Sequence, residues 1–184
     1  GLDQLTTTSN WNPNNKFFRY LYDRAYYTIP QASNLIKILK STTVAVPNKE
    51  NHIAELRFLR ALAYYYVIDC FGKGVITTED DINTSTPKKE STRKELFEFV
   101  ESELKDIEGT ITATKSYGKA DKHVVRMLLA KLYLNAEVYS GTPRYDDALT
   151  YTKKVIDEGG YTIAPKFVSV FSGDNDTSPE IIYT

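Results

Sequence analysis

The 184-residue chain reads as an all-α protein made of antiparallel helix pairs joined by long irregular loops. Three observations predict this. Apolar residues recur at spacings of three and four in five separate stretches. Glycine, proline and a capping pattern stand where those stretches begin and end. One helix–turn–helix segment also carries the alternation of small and aromatic residues found in helical repeats.

Residues 1–15, GLDQLTTTSNWNPNN, are polar and broken by Asn-Pro, which reads as a loop. Over 16–40 the pattern is helical, with Phe17, Leu21, Tyr22, Ala25, Ile29, Ala32, Ile36 and Leu39 on one face. Pro30 lacks a donor and crowds the turn before it, which predicts a kink or a division of this helix. Residues 49–109 form a first helix pair. In AELRFLRALAYYYVIDCFGKGV, the stripe Ile53, Leu56, Leu59, Ala63, Tyr66 and Cys70 is widened by Phe58, Leu62, Tyr65 and Ile68. A helix apolar over most of its circumference sits between two neighbours. Gly72 is placed to be its left-handed closing residue. Residues 73–90 read as a long loop. Thr92 and Glu95 then make a capping box for a helix that turns Phe97, Val100, Leu104 and Ile107 inward and stops near Gly109. Residues 120–159 form the second pair, one helix running to about Gly141 and the next from Tyr145 to Gly159-Gly160. Residues 160–184 read as loop with two short strands. The whole, 1–184, reads as a single helical domain.

Lys and Arg number 23 against 24 Asp and Glu, a net charge of −1. No basic field is present to attract phosphates, so nucleic acid is not an expected partner. No uncharged apolar run approaches the ~20 residues needed to span a bilayer. A single cysteine, Cys70, excludes an internal disulfide, and within its apolar stripe it reads as an inert buried thiol. His52 and His123 lie far apart with no Cys/His cluster, so no metal is expected. Asp80-Asp81 and Asp146-Asp147 read as solvated or capping carboxylates, not as a glycosidase pair. No cofactor and no catalytic centre are expected. The opening GLDQLTTTSN has no initiator Met or lipidation cysteine, and the closing SPEIIYT is strand-like with nothing after it to pair. The chain is therefore expected to be a fragment of a larger protein.

Aromatic residues are generously supplied: 14 Tyr, 8 Phe and one Trp. Tyr64, Tyr65 and Tyr66 on a helix point about 100° apart and cannot form one flat sugar platform. Two of them are expected to pack against neighbouring helices with their hydroxyls on a partner. Glu55 and Arg60, five residues apart, are each expected to pair with another helix or a loop carbonyl. The stretch with the ingredients to bind sugar is SNWNPNNKFFRY. Trp11 offers an aromatic face, Asn12, Asn14 and Asn15 offer two-way hydrogen bonding, and Arg19 a fork of donors. The same residues also suit a plain Asn-rich turn.

In MLLAKLYLNAEVYSGTPRYDDALTYTKKVI, Ala130 and Tyr133 on one helix are followed by Ala148, Thr152 and Val155 on the next. That spacing is tetratricopeptide-like, with a lengthened turn. AELRFLRALAYYYVIDCFGKGVITT resembles the SusD/RagB family, with Glu55, Phe58, Leu59, Arg60, Ala61, Tyr64, Tyr65, Phe71 and Gly72 in the family's positions; Ile76 stands where that family usually has Pro. YYTIPQASNLI, YGKADKHVVRMLLAKLYL, YDDALTYTKKVIDEGGYTI and SPEIIYT are similar to further family segments, in order. The resemblance covers about residues 20–184 and implies that the chain is the N-terminal helical part of a larger SusD-like protein. It implies a helical, SusD-like scaffold that binds a nutrient, most often an oligosaccharide, at the outer-membrane surface without catalysis. It also implies a SusC-like TonB-dependent transporter as partner, and membrane association only through an N-terminal lipid anchor lying outside this sequence. In that family an aromatic and polar segment ahead of the first helix contributes to the glycan surface, the position held here by Trp11 to Arg19. The other class open at this point is an intracellular tetratricopeptide adaptor for a peptide or protein partner.

Overall fold

A helix starts cleanly where a side chain can accept its unpaired backbone N–H groups. Asn15 does this for the first helix, its Oδ1 accepting from Phe17 N at 3.0 Å. Thr92 and Glu95 close the expected capping box, Thr92 N donating to the Glu95 carboxylate at 2.7 Å and Glu95 N to Thr92 Oγ1 at 3.2 Å. Asp121 accepts from both His123 N and Val124 N. In this computed structural model, which describes residues 15–183, the helices are α1 (Lys16–Ser41), α2 (Lys49–Cys70), α3 (Arg93–Glu108), α4 (Lys122–Leu134), α5 (Ala136–Ser140) and α6 (Tyr145–Glu158). Three short 3-10 turns, Glu79–Asp81, Phe167–Val170 and Asn175–Thr177, lie in the connections. Among the described residues no helix is long and apolar enough to cross a membrane.

Side-chain contacts fix the register of the pairs. Tyr22 meets Phe71 while Ser33 meets Arg60, so α1 and α2 run antiparallel. Arg57 reaches Asp106 while Tyr64 packs edge-on against Phe99, so α3 returns beside α2. Arg126 pairs with Glu108 and the Tyr133 hydroxyl with Glu101, which lays α4 against α3. Arg126 also pairs with Glu158, and α6 packs along α4. The architecture is a layer of antiparallel helix pairs. One core runs through it, with Phe58, Tyr64, Leu96, Leu104, Leu129, Leu132 and Tyr133 at the centre. Ala130 and Ala148 are buried as the repeat spacing requires, small residues that let α4 and α6 approach.

Five expectations are corrected. Helix α1 runs unbroken through Pro30, which is exposed, so of the two expected outcomes the division does not occur. The helix expected to reach residue 140 breaks at Asn135, which leaves helical geometry (φ −103°, ψ 11°) while its amide donates to the Lys131 carbonyl. The tail forms no strand among the described residues; Thr162 N donates to the Pro179 carbonyl at 3.2 Å, and no ladder develops from that bond. Cys70 is exposed, not buried. The buried stripe of α2 reaches less far round the helix than the spacing predicts. Tyr66 and Leu59 are exposed, and the face that enters the core is Ala54, Phe58, Ala61, Tyr64, Val67 and Ile68.

Candidate functional site

The sugar-binding stretch expected from the sequence leads into the N-terminal turns of α1. Those turns rest on the end of α2 and the loop that follows it, so that loop comes first. Two tyrosine hydroxyls hold it. Tyr64 is fully buried; its hydroxyl accepts from Thr77 N at 2.7 Å and donates to the Val75 carbonyl at 3.0 Å. The Tyr26 hydroxyl accepts from Val75 N at 2.9 Å. Burial raises the pKa of both phenols, which keeps them protonated and able to serve as donor and acceptor. A side chain at position 74 would collide with the Tyr26 hydroxyl and with Val67, so Gly74 is what allows this close approach. Gly72 makes the turn at φ +78°. Of the three consecutive tyrosines, then, Tyr64 and Tyr65 are buried as expected. Tyr66 is 45% exposed and lines an apolar depression of about 590 Å³ with Phe58, Leu62, Met127 and Tyr183.

Charge fastens the same loop from below. Arg60, with 2% of its side chain exposed, donates to Glu103 through Nη2 at 2.6 Å and Nε at 3.1 Å. Its Nη1 donates to Glu79 at 2.6 Å and to Ser33 Oγ at 3.0 Å. Arg60 thus ties α1, α2, α3 and the loop's 3-10 turn together. Arg57 reinforces Glu103 and reaches Asp106, and Lys40 reaches Glu79 at 2.5 Å. Glu55 departs from its expected pairing with another helix or loop carbonyl: it accepts from Asn51 and faces His52, both one turn back on its own helix. Of the acidic pairs, one supplies a cap and the other an ion pair. Asp81 accepts from Thr78 N and pairs with Lys88, and Asp147 pairs with Arg144 in the first turn of α6.

Burial opposes ionisation of Glu79, but hydrogen bonds from Lys40 and Arg60 outweigh it and hold its pKa down at about 2. Its folded pKa lies below the ordinary value of 4.5, so its contribution to stability is complete above that value. The contribution is lost as pH falls from there towards 2. Thermal unfolding followed from pH 7 down to pH 2.5 is therefore expected to show a fall in Tm that Glu79→Gln, less stable at pH 7, shows to a smaller extent.

On α1, Asn15, Arg19, Tyr22 and Tyr26 share one stripe by the 100° rule. The Asn15 carbonyl oxygen is engaged in the helix cap, and the exposed Arg19 guanidinium faces Asp23 at 3.4 Å. Trp11, Asn12 and Asn14 lie outside the described residues. Further along the stripe Tyr22 is 43% exposed, its ring 4.5 Å from Tyr26 and 5.3 Å from Phe71. Sequence reasoning assigned Tyr22 to the core face. In the structure Tyr20, Leu21 and Tyr22 are all exposed and precede the first buried residue of α1, Ala25, and no sequence pattern marks that start. Among the described residues no group of three or more His, Cys, Asp or Glu is placed to hold a metal ion.

The geometry defines a class: a rigid scaffold of stacked helix pairs with a polar and aromatic edge at the start of α1. No family model matches the chain. Known proteins place it more closely. It is 35% identical over 177 residues to the starch-binding protein SusD of Bacteroides thetaiotaomicron, covering 95% of this chain and 31% of that protein. It is 23% identical over 164 residues to a SusD-like protein of Bacteroides ovatus, covering 84% of this chain and 30% of that one. Among solved structures, surface glycan-binding protein A of Bacteroides thetaiotaomicron in complex with laminarihexaose superposes with a TM-score of 0.72 at 22% identity, over 89% of this chain and 34% of that one. The chain is SusD-like in sequence and in its helical fold, and it spans about a third of the length of the curated relatives it matches.

Proposed function

We propose that the protein is a non-catalytic binder of oligosaccharide at the bacterial outer-membrane surface, passing its ligand to a SusC-like TonB-dependent transporter. The observation that carries this reading is the 35% identity, across nearly the whole chain, to a starch-binding SusD. Further support comes from the folds it resembles, whose names include a laminarin-binding SusD-like protein. The helix pairs supply a stiff frame, and the segment ahead of α1 supplies recognition. Trp11 presents the ring on which a sugar's C–H face lies, while Asn12, Asn14, Asn15 and Arg19 satisfy hydroxyls. Retention beside the transporter comes from anchoring, which raises effective concentration without high affinity at each site.

Affinity electrophoresis of the full-length natural protein through gels containing starch, laminarin or xyloglucan tests this. Migration is expected to be retarded by at least one of the three, and Trp11→Ala is expected to relieve that retardation. A parent protein that migrates unchanged in all three gels overturns the reading.

A further inference from the structure

Resting on that reading, we propose that Tyr22 and Arg93 form a further sugar subsite, continuing the glycan surface from Asn15 and Arg19 along α1 to the end of α2. Its ligand class is a neutral hexose oligosaccharide. Three observations carry it. First, Tyr22, 43% exposed, is held by two other rings: Tyr26 at 4.5 Å with a 35° tilt and Phe71 edge-on at 87°. Tyr26 is itself fixed by its bond to Val75 N. Tyr22 is thus positioned before any ligand arrives, which lowers the ordering cost of binding.

Second, the Arg93 guanidinium lies against the backbone of Gly72, one residue from Phe71, because glycine leaves that space open. Among the described residues Arg93 has neither a hydrogen bond nor an ion pair, although it is only partly exposed. Its fellow arginines Arg57, Arg60, Arg126 and Arg144 are all paired with carboxylates. Arg93 is the first residue of α3, and its side chain reaches back to the turn that closes α2. The planar fork of N–H donors is not spent on a carboxylate and can meet acceptor oxygens. Third, the neighbouring charges Lys73 and Glu90 face each other at 3.6 Å across the same edge. That pair adds no net charge beside Arg93, which suits an uncharged sugar with one ring face on Tyr22 and hydroxyls towards Arg93.

Isothermal titration of the full-length protein with maltoheptaose, laminarihexaose and a xylogluco-oligosaccharide tests the proposal, using Tyr22→Ala, Tyr22→Phe and Arg93→Gln. Tyr22→Ala and Arg93→Gln are each expected to weaken binding about tenfold, equivalent to about 1.4 kcal/mol. Tyr22→Phe, which keeps the ring, is expected to bind as the parent does. Melting curves matching the parent's show that the frame is intact. A parent that binds while Tyr22→Ala and Arg93→Gln bind equally well overturns the subsite and leaves the glycan-binding reading standing. Equal losses in Tyr22→Ala and Tyr22→Phe overturn the stacking role. A parent that binds none of the three probes removes both.

Discussion

Replacing Arg60 with methionine is expected to remove about 3–5 kcal/mol of folding stability, because it leaves one oxygen of the buried Glu103 carboxylate without a partner. The Arg60 side chain is only 2% exposed and Glu103 only 8%, so water cannot substitute for the lost guanidinium. Glu79 keeps Lys40, and Glu103 keeps one oxygen on Arg57, but the other oxygen of Glu103 loses both of its donors. Urea unfolding followed by circular dichroism measures the effect. Pairing Arg60→Met with Glu103→Leu is expected to restore most of the loss, since an apolar pair of similar volume often matches a buried ion pair in stability. A single variant as stable as the parent would mean that water reaches the network.

The second large effect is expected at Tyr64. Truncation to alanine opens a cavity in the centre of the core and should cost about 3–5 kcal/mol, as for other large buried aromatics. Tyr64→Phe isolates the hydroxyl. It fills the same space but leaves Thr77 N without its acceptor and the Val75 carbonyl without its donor. About 1–3 kcal/mol is expected from the unsatisfied groups. Amide hydrogen exchange supplies a local readout: Thr77 should exchange faster in Tyr64→Phe, while Val75 N, held by Tyr26, should change less. Equal acceleration at both amides would mean that the loop is fastened as one unit.

Much of this frame could be read from residues alone. The Thr92–Glu95 box, the left-handed Gly72 and the Ala130–Ala148 approach are local or periodic signals, and each stands where the spacing put it. The burial of two of the three consecutive tyrosines follows from helix geometry. What could not be read was which side of α2 faces in. That helix is apolar nearly all round, so Leu59, Tyr66 and Cys70 looked as fit for the core as Ala61 and Tyr64. Tertiary pairing was equally hidden. Arg60 announced its need for a partner, but Glu79 and Glu103 lie 19 and 43 positions away, and only the fold brings them together. At Trp11 to Arg19 the sequence offers a type of chemistry that remains a proposal, whereas the Tyr22–Phe71 contact required knowing how α1 lies across the end of α2.

Frame and recognition are separable, and that separation is the central claim. Isothermal titration of full-length Trp11→Ala and Tyr64→Phe with an oligosaccharide of the glycan that retards the parent tests it most directly. Trp11→Ala should lose affinity about tenfold or more while melting as the parent does, and Tyr64→Phe should melt earlier yet bind with the parent's affinity. Unchanged binding by Trp11→Ala together with lost binding by Tyr64→Phe would contradict it, placing the sugar among the helices and not on the segment that precedes them.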